Sequence, residues 1–253
     1  MKKSLKKLET NLLPYQNLGN SRRKFLKMGG LVVASSGLLL YSCNDDDDDN
    51  TIDPPVEVFD LGEGDLGILN YAYALEQLEA AFYKNVLDGA YFAGAEANEK
   101  EIMEDLYNHE VIHREFFKVA ITAAAPSANQ VLPILEFNFS SVNFGDRASV
   151  LGTAKVLEDT GVAAYNGAGK LLQNTDYLLI AGKIVSVEAR HASAIRDLLN
   201  PNSADFAGDD ILVDLGGSGK AYDMATPPAT ILAAVGATGF VTTEFTANNL
   251  PTS

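Results

Sequence analysis

The sequence predicts an all-α protein: a four-helix bundle with a long crossover between its second and third helices, and an irregular C-terminal extension. Three observations predict it. Four stretches of about 25 residues carry apolar side chains at helical spacing. Their connections run short, long, short, as two helix hairpins joined by a strap of bundle height would require. Two of the chain's three histidines stand three residues after a glutamate, Glu110/His113 and Glu188/His191, on the second and fourth stretches.

The N-terminal segment, residues 1–42, reads as an address. "SRRKFLK" (residues 21–27) precedes the apolar run "MGGLVVASSGLLLYSC", which is too short for a spanning helix and suits a signal peptide. Twin arginines followed by Phe-Leu-Lys resemble the twin-arginine (Tat) export signal. The closing "LYSC" resembles a lipobox, which makes Cys43 the lipidated first residue of the mature chain; the alternative is an unprocessed anchor with an incidental cysteine. The expectation is an exported protein of the cell envelope, lipid-anchored to a bacterial membrane. Cys43 is the only cysteine, so an intrachain disulfide and thiolate-held iron–sulfur or rubredoxin-type sites are excluded within this chain.

Residues 1–42 carry eight Lys/Arg against the single acid Glu9, so their removal takes the formal charge from −15 to −22. A surface so acidic repels phosphate backbones and excludes nucleic acid as a partner. Residues 43–62, with "NDDDDDNTIDPP", read as a solvated flexible tether.

The bundle is expected over residues 63–200. Helix one runs from about Asp65 to Leu87, before Gly89. Helix two opens at Asn98, with Glu101 at capping-box spacing, and runs to about Ala124, before Pro126. Helix three runs from about Asp146 to Leu172. Helix four starts at Asn174 or Thr175 and ends at "NPN", residues 200–202. Each spans roughly 37 Å at the helical rise. The link between helices two and three, "PSANQVLPILEFNFSSVNFG", is long enough to travel the bundle's height. Residues 201–253 are rich in Gly, Asp and Thr, with one short helix expected after Pro227-Pro228, and should pack on the bundle. Gly161, Gly167, Gly169 and Gly182 lie within helices three and four and suit close packing better than phosphate binding.

The apolar stripes carry charged residues where a core should be. Glu110 and His113 lie on the stripe of Met103, Leu106 and Phe117; Glu188 and His191 lie on that of Ile184, Ile195 and Leu198. Residues three apart on a helix are neighbours, so each pair can converge on one point. Helix one supplies Glu76 and helix three Glu158, and a tyrosine follows each by two turns, Tyr83 and Tyr165. Helix one maps onto helix three at a constant offset of 82, and helix two onto four at 78, so the chain contains a repeated helix hairpin. Four buried carboxylates need compensation, and two divalent cations with two neutral imidazoles balance them. Oxygen-rich donors with one histidine per metal suit iron or manganese, with zinc possible. Glu79, one turn past Glu76, reads as a surface carboxylate or one behind the ligands, with an extra ligand as the alternative. His109, off the stripe's centre, reads as a rim or packing residue. Tyr83 and Tyr165 read as core aromatics whose hydroxyls bond a ligand carboxylate, with a radical or proton-relay role as the alternative.

The constellation and crossover resemble the ferritin-like superfamily, over roughly residues 65–200. The text "ILNYAYALEQLEAAFY", together with the export signal, resembles the exported ferritin-like group associated with desiccation. That resemblance implies metal ligands at Glu76, Glu110, His113, Glu158, Glu188 and His191, with Glu110 and Glu188 bridging two metals. It leaves three functions open. One is a redox enzyme acting on peroxide or O₂, in the manner of a catalase, peroxidase or ferroxidase. The second is a metal-binding or storage protein, and the third a stress-protective protein in which metal only stabilises the bundle.

Overall fold

The computed structural model describes residues 58–217 and 219–252; the predicted signal over residues 1–42, the lipidation candidate Cys43 and most of the predicted tether lie outside the described residues. The chain folds as α1 (Gly64–Asp88), a short α2 (Ala90–Gly94), then α3 (Ala97–Ala124), α4 (Arg147–Gly169) and α5 (Thr175–Leu199). Helices α1, α3, α4 and α5 are the four expected from periodicity. Helix α1 packs along α3 and α4 along α5, and the two hairpins meet where α1 faces α4 and α3 faces α5. Helix α1 is buried on every side from Gly67 to Ala80, which marks it as the central rod.

Two of the bundle helices start on a side-chain cap. Asp146 caps α4 and Asn174 caps α5, accepting hydrogen bonds from the amides of Ser149 at 3.1 Å and Asp176 at 2.8 Å. The capping box expected at Asn98 does not form. The cap of α3 falls two residues earlier, at Glu96, with no side chain bonding the free amides.

The crossover runs along α1 and is held by two buried amides two turns apart. Asn70 donates to the carbonyls of Leu61 (3.0 Å) and Gln130 (2.9 Å) and accepts from the amide of Leu132 at 2.9 Å. Gln77 accepts from the amide of Leu135 at 2.9 Å and donates to the carbonyl of Pro133 at 3.2 Å. These bonds satisfy a backbone that makes no ladder of its own, and they drop Leu132 and Leu135 into the core. The alternating apolar residues near Phe137 make only one isolated bridge, to Val241.

The ends of the folded unit are tied together. Strand β1 (Phe59–Asp60) pairs in parallel with the last strand, β4 (Phe245–Thr246), and Leu61 is fully buried, so packed structure begins inside the span read as tether. Strands β2 (Leu212–Asp214) and β3 (Lys220–Asp223) form a small antiparallel hairpin, and α6 (Pro228–Thr238) lies against α4. The Thr226 amide donates to the carbonyl of Ala163 on α4 at 2.9 Å. That approach requires Gly167, where a Cβ would fall 1.8 Å from the Thr226 carbonyl oxygen. Among the described residues no helix is long and apolar enough to cross a membrane.

Candidate metal centre

Near the middle of the bundle its core turns from apolar to ionisable. Glu76 from α1, Glu110 and His113 from α3, Glu158 from α4, and Glu188 and His191 from α5 all turn inward and are buried. The three-residue spacing on α3 and α5 puts each glutamate one turn below its histidine, so both side chains of a pair face one centre.

The arrangement is close to two-fold symmetric. His113 Nδ1 lies 3.0 Å from Glu188 Oε1, 3.3 Å from Glu110 Oε2 and 3.4 Å from Glu76 Oε2. His191 Nδ1 lies 2.9 Å from Glu110 Oε1, 3.3 Å from Glu158 Oε2 and 3.7 Å from Glu188 Oε2. Two donor groups result: Glu76, Glu110, His113 and Glu188, and Glu110, Glu158, Glu188 and His191, with the donor atoms of each within 4.8 Å of one another. Glu110 and Glu188 belong to both.

The contacts are close but not paired. Both oxygens of Glu110 and of Glu188, Oε2 of Glu76 and of Glu158, and Nδ1 of both histidines lack an aligned hydrogen bond. Leaving so many buried polar atoms unsatisfied is costly, and these atoms crowd around common points instead of meeting pairwise. Such a geometry could hold metal ions.

The remaining oxygens are held by tyrosines, crosswise. Tyr83 of α1 donates its hydroxyl to Glu158 Oε1 on α4, and Tyr165 of α4 donates to Glu76 Oε1 on α1. Each tyrosine orients the glutamate of the opposite helix, leaving that carboxylate's second oxygen turned to the cluster. Phe82 packs edge-on against Tyr83 at 5.2 Å between ring centres, and Phe117 packs 6.3 Å from Tyr165, which limits the movement of both rings.

Two residues that sequence reasoning placed at the margin belong to this site. His109 Nδ1 lies 2.9 Å from His191 Nε2, the nitrogen turned away from the cluster. The two rings are inclined by only 7° with centres 5.2 Å apart, so they lie end to end across that contact. His109 is at the rim, as expected, but it also holds the imidazole behind it. Glu79 is not at the surface: it is 3 % exposed, with a buried oxygen that has no partner. Its recess exists because residue 161 is glycine. A Cβ there would lie 3.1 Å from Glu79 Oε1 and 3.5 Å from Glu188 Oε2. The packing role read for the helix glycines holds at Gly161 and Gly167. At Gly169 a Cβ would make ordinary contact and at Gly182 it would meet nothing.

Burial and crowding displace the acid–base equilibria. Burial pushes Glu76 well above the usual carboxylate range, opposed by His113 and reinforced by the charges of Glu188 and Glu110. Glu79 rises for the same reason, with the charges of Glu188, Glu110, Glu158 and Glu76 added and nothing opposing. Burial carries Glu158 to about 8 against the pull of His191. Burial would raise Glu110 too, but the close approach of His113 and His191 holds it at about 2. Burial would depress the imidazoles, yet the carboxylates around them push His113 up to about 12 and raise His191 as well. In the metal-free protein, two imidazolium ions therefore do part of the neutralising that cations would do.

The donor set fits two divalent ions. Four carboxylates and two neutral imidazoles cancel two double positive charges, and each position has oxygen donors plus one nitrogen. A family model described as a ferritin-like domain matches residues 64–201, more than half of the chain. No curated protein matches the chain.

Proposed function

The chain belongs to the ferritin-like domain family, and from that premise we propose that its bundle holds a dinuclear iron or manganese centre that acts on peroxide or dioxygen. The observation that carries this reading is the pair of four-residue donor groups sharing Glu110 and Glu188. Glu76, Glu110, Glu188 and His113 would hold one ion, and Glu110, Glu158, Glu188 and His191 the other. Zinc suits the same donors but would leave the centre without redox chemistry. Bound there, an iron or manganese pair supplies electron transfer to and from oxygen species.

The protein's own contribution is placement. Tyr83 and Tyr165 hold Glu158 and Glu76 by one oxygen each, and His109 fixes the ring of His191. Peroxide disproportionation suits a chain with a single cysteine, because it needs no electron-feeding partner: one peroxide is reduced to water while another is oxidised to O₂. The twin-arginine motif and Cys43 support a setting in the cell envelope, with the protein lipid-anchored, and the likeness to the desiccation-associated group supports a role under stress.

The test is to purify the protein, count metals by elemental analysis, and follow hydrogen peroxide loss and ferrous oxidation. About two metals per chain with rapid peroxide loss is expected. Iron uptake far beyond that would favour storage. Two metals with neither activity would favour a structural metal.

A further inference from the structure

All six donors repeat in the two hairpins at fixed offsets, and so do both tyrosines. Glu79 does not. The offset of 82 that maps Glu76 onto Glu158 and Tyr83 onto Tyr165 maps Glu79 onto Gly161. The bundle thus has a carboxylate on one side of its two-fold axis and no side chain on the other. The two positions touch: the Glu79 carboxyl occupies the room that a side chain on Gly161 would fill. Glu79 therefore reaches across from α1 to α4, and the Cβ that Gly161 lacks would also stand 3.5 Å from Glu188 Oε2. That oxygen faces His191, whereas Oε1 of the same carboxylate faces His113. Among the described residues no hydrogen bond or ion pair satisfies Glu79. A glutamine or leucine would fill the recess without the desolvation cost of a buried carboxyl, so packing does not account for it.

A second asymmetry points the same way. His191 has His109 behind its outer nitrogen, while among the described residues no hydrogen bond supports the ring of His113. Partners behind a ligand histidine fix its orientation and raise its donor strength.

We infer that the two metal positions are unequal, and that the one formed by Glu158 and His191 binds its ion more tightly and fills first, with Glu79 as an additional donor to it. The inference rests on the dinuclear reading of the site. Glu79 stands outside both four-residue groups in its present rotamer, so it engages by a side-chain rotation in the space left at Gly161.

The experiment is calorimetric titration of the metal-free full-length protein with Mn²⁺, repeated with Co²⁺ and followed by visible absorption. Wild type is expected to show two steps. His191→Ala should abolish the tighter step and His113→Ala the weaker. Glu79→Gln, nearly isosteric, should weaken the tighter step by about tenfold and leave the other unchanged. Gly161→Ala should give the same shift without removing a donor, because its Cβ displaces the Glu79 carboxyl. Circular dichroism checks that each variant is folded. Loss of the tighter step in His113→Ala, or unchanged constants in both Glu79→Gln and Gly161→Ala, would overturn this inference alone. Binding of fewer than two ions by wild type would overturn the dinuclear reading itself.

Discussion

His109 takes the back of His191: its Nδ1 lies 2.9 Å from the His191 Nε2, while the His191 Nδ1 faces Glu110 and Glu158. With a metal on Nδ1, the outer nitrogen must carry the proton and donate it to His109, which fixes the tautomer.

His109→Phe removes that acceptor and is expected to lower the affinity of the His191 position by roughly tenfold, the common cost of losing such a partner. His109→Gln keeps an acceptor and should restore part of the loss. Metal titration of both variants decides it; equal affinities in wild type and His109→Phe would show the contact to be incidental.

Glu110 and Glu76 should differ in kind. The Oε1 of Glu110 faces His191 and its Oε2 faces His113, so Glu110→Ala removes a donor from both positions. Glu76 belongs to one donor group only. Elemental analysis is expected to show Glu110→Ala nearly empty and Glu76→Ala retaining about one ion per chain.

The crossed tyrosine bonds give a matched pair of variants. Tyr83→Phe leaves Glu158 without its donor, and Tyr165→Phe does the same to Glu76. Each should destabilise the metal-loaded protein by about 1.5–3 kcal/mol, the range for a lost hydrogen bond to a charged group. Denaturant unfolding of the two variants should give similar losses; a loss confined to one would show that the symmetry in placement is not one of energy.

Stability should depend on pH in opposite senses with and without metal. Glu158 titrates near 8 in the folded metal-free protein, and Glu76 and Glu79 also lie above the usual carboxylate range. Unfolded glutamates titrate near about 4.3, so above that pH the folded state holds protons that the unfolded state has lost. Stability is then fullest below the unfolded value and falls as pH rises through the folded one. His113, raised to about 12, acts in the same direction above about pH 6.5. Glu110, lowered to about 2, acts oppositely, but only below about pH 4.3. The chelator-treated protein should therefore melt at a lower temperature at about pH 8 than at about pH 5. Metal binding displaces these protons, so affinity should rise over the same interval and reverse the trend. Parallel melting curves across pH with and without metal would contradict the site's charge balance.

Periodicity within each helix was enough to locate the four rods, because an apolar face at helical spacing is a local property of the chain. Glu76, Glu110, Glu158 and Glu188 were legible for the same reason: a charged residue on an apolar stripe stands out against its neighbours, and each recurs at a fixed offset. The length of the crossover likewise announced a strap. Its fastening did not show, since Asn70 and Gln77 look like ordinary polar interruptions of α1 until the carbonyls of Gln130 and Pro133 lie against them. The capping box at Asn98 misled because the same short motif can sit one residue inside a helix that starts earlier.

What the sequence determined by itself is therefore the set of rods, their connectivity and which faces carry the acids and imidazoles. Only the tertiary structure decided what each of those faces meets. Glu79 is buried because a residue 82 positions later lacks a side chain, and His109 supports a histidine on a helix that its own periodicity cannot name. Helical spacing describes a side chain's direction about its own axis. What stands opposite depends on how separate helices pack, a relation between distant parts of the chain that no local pattern encodes.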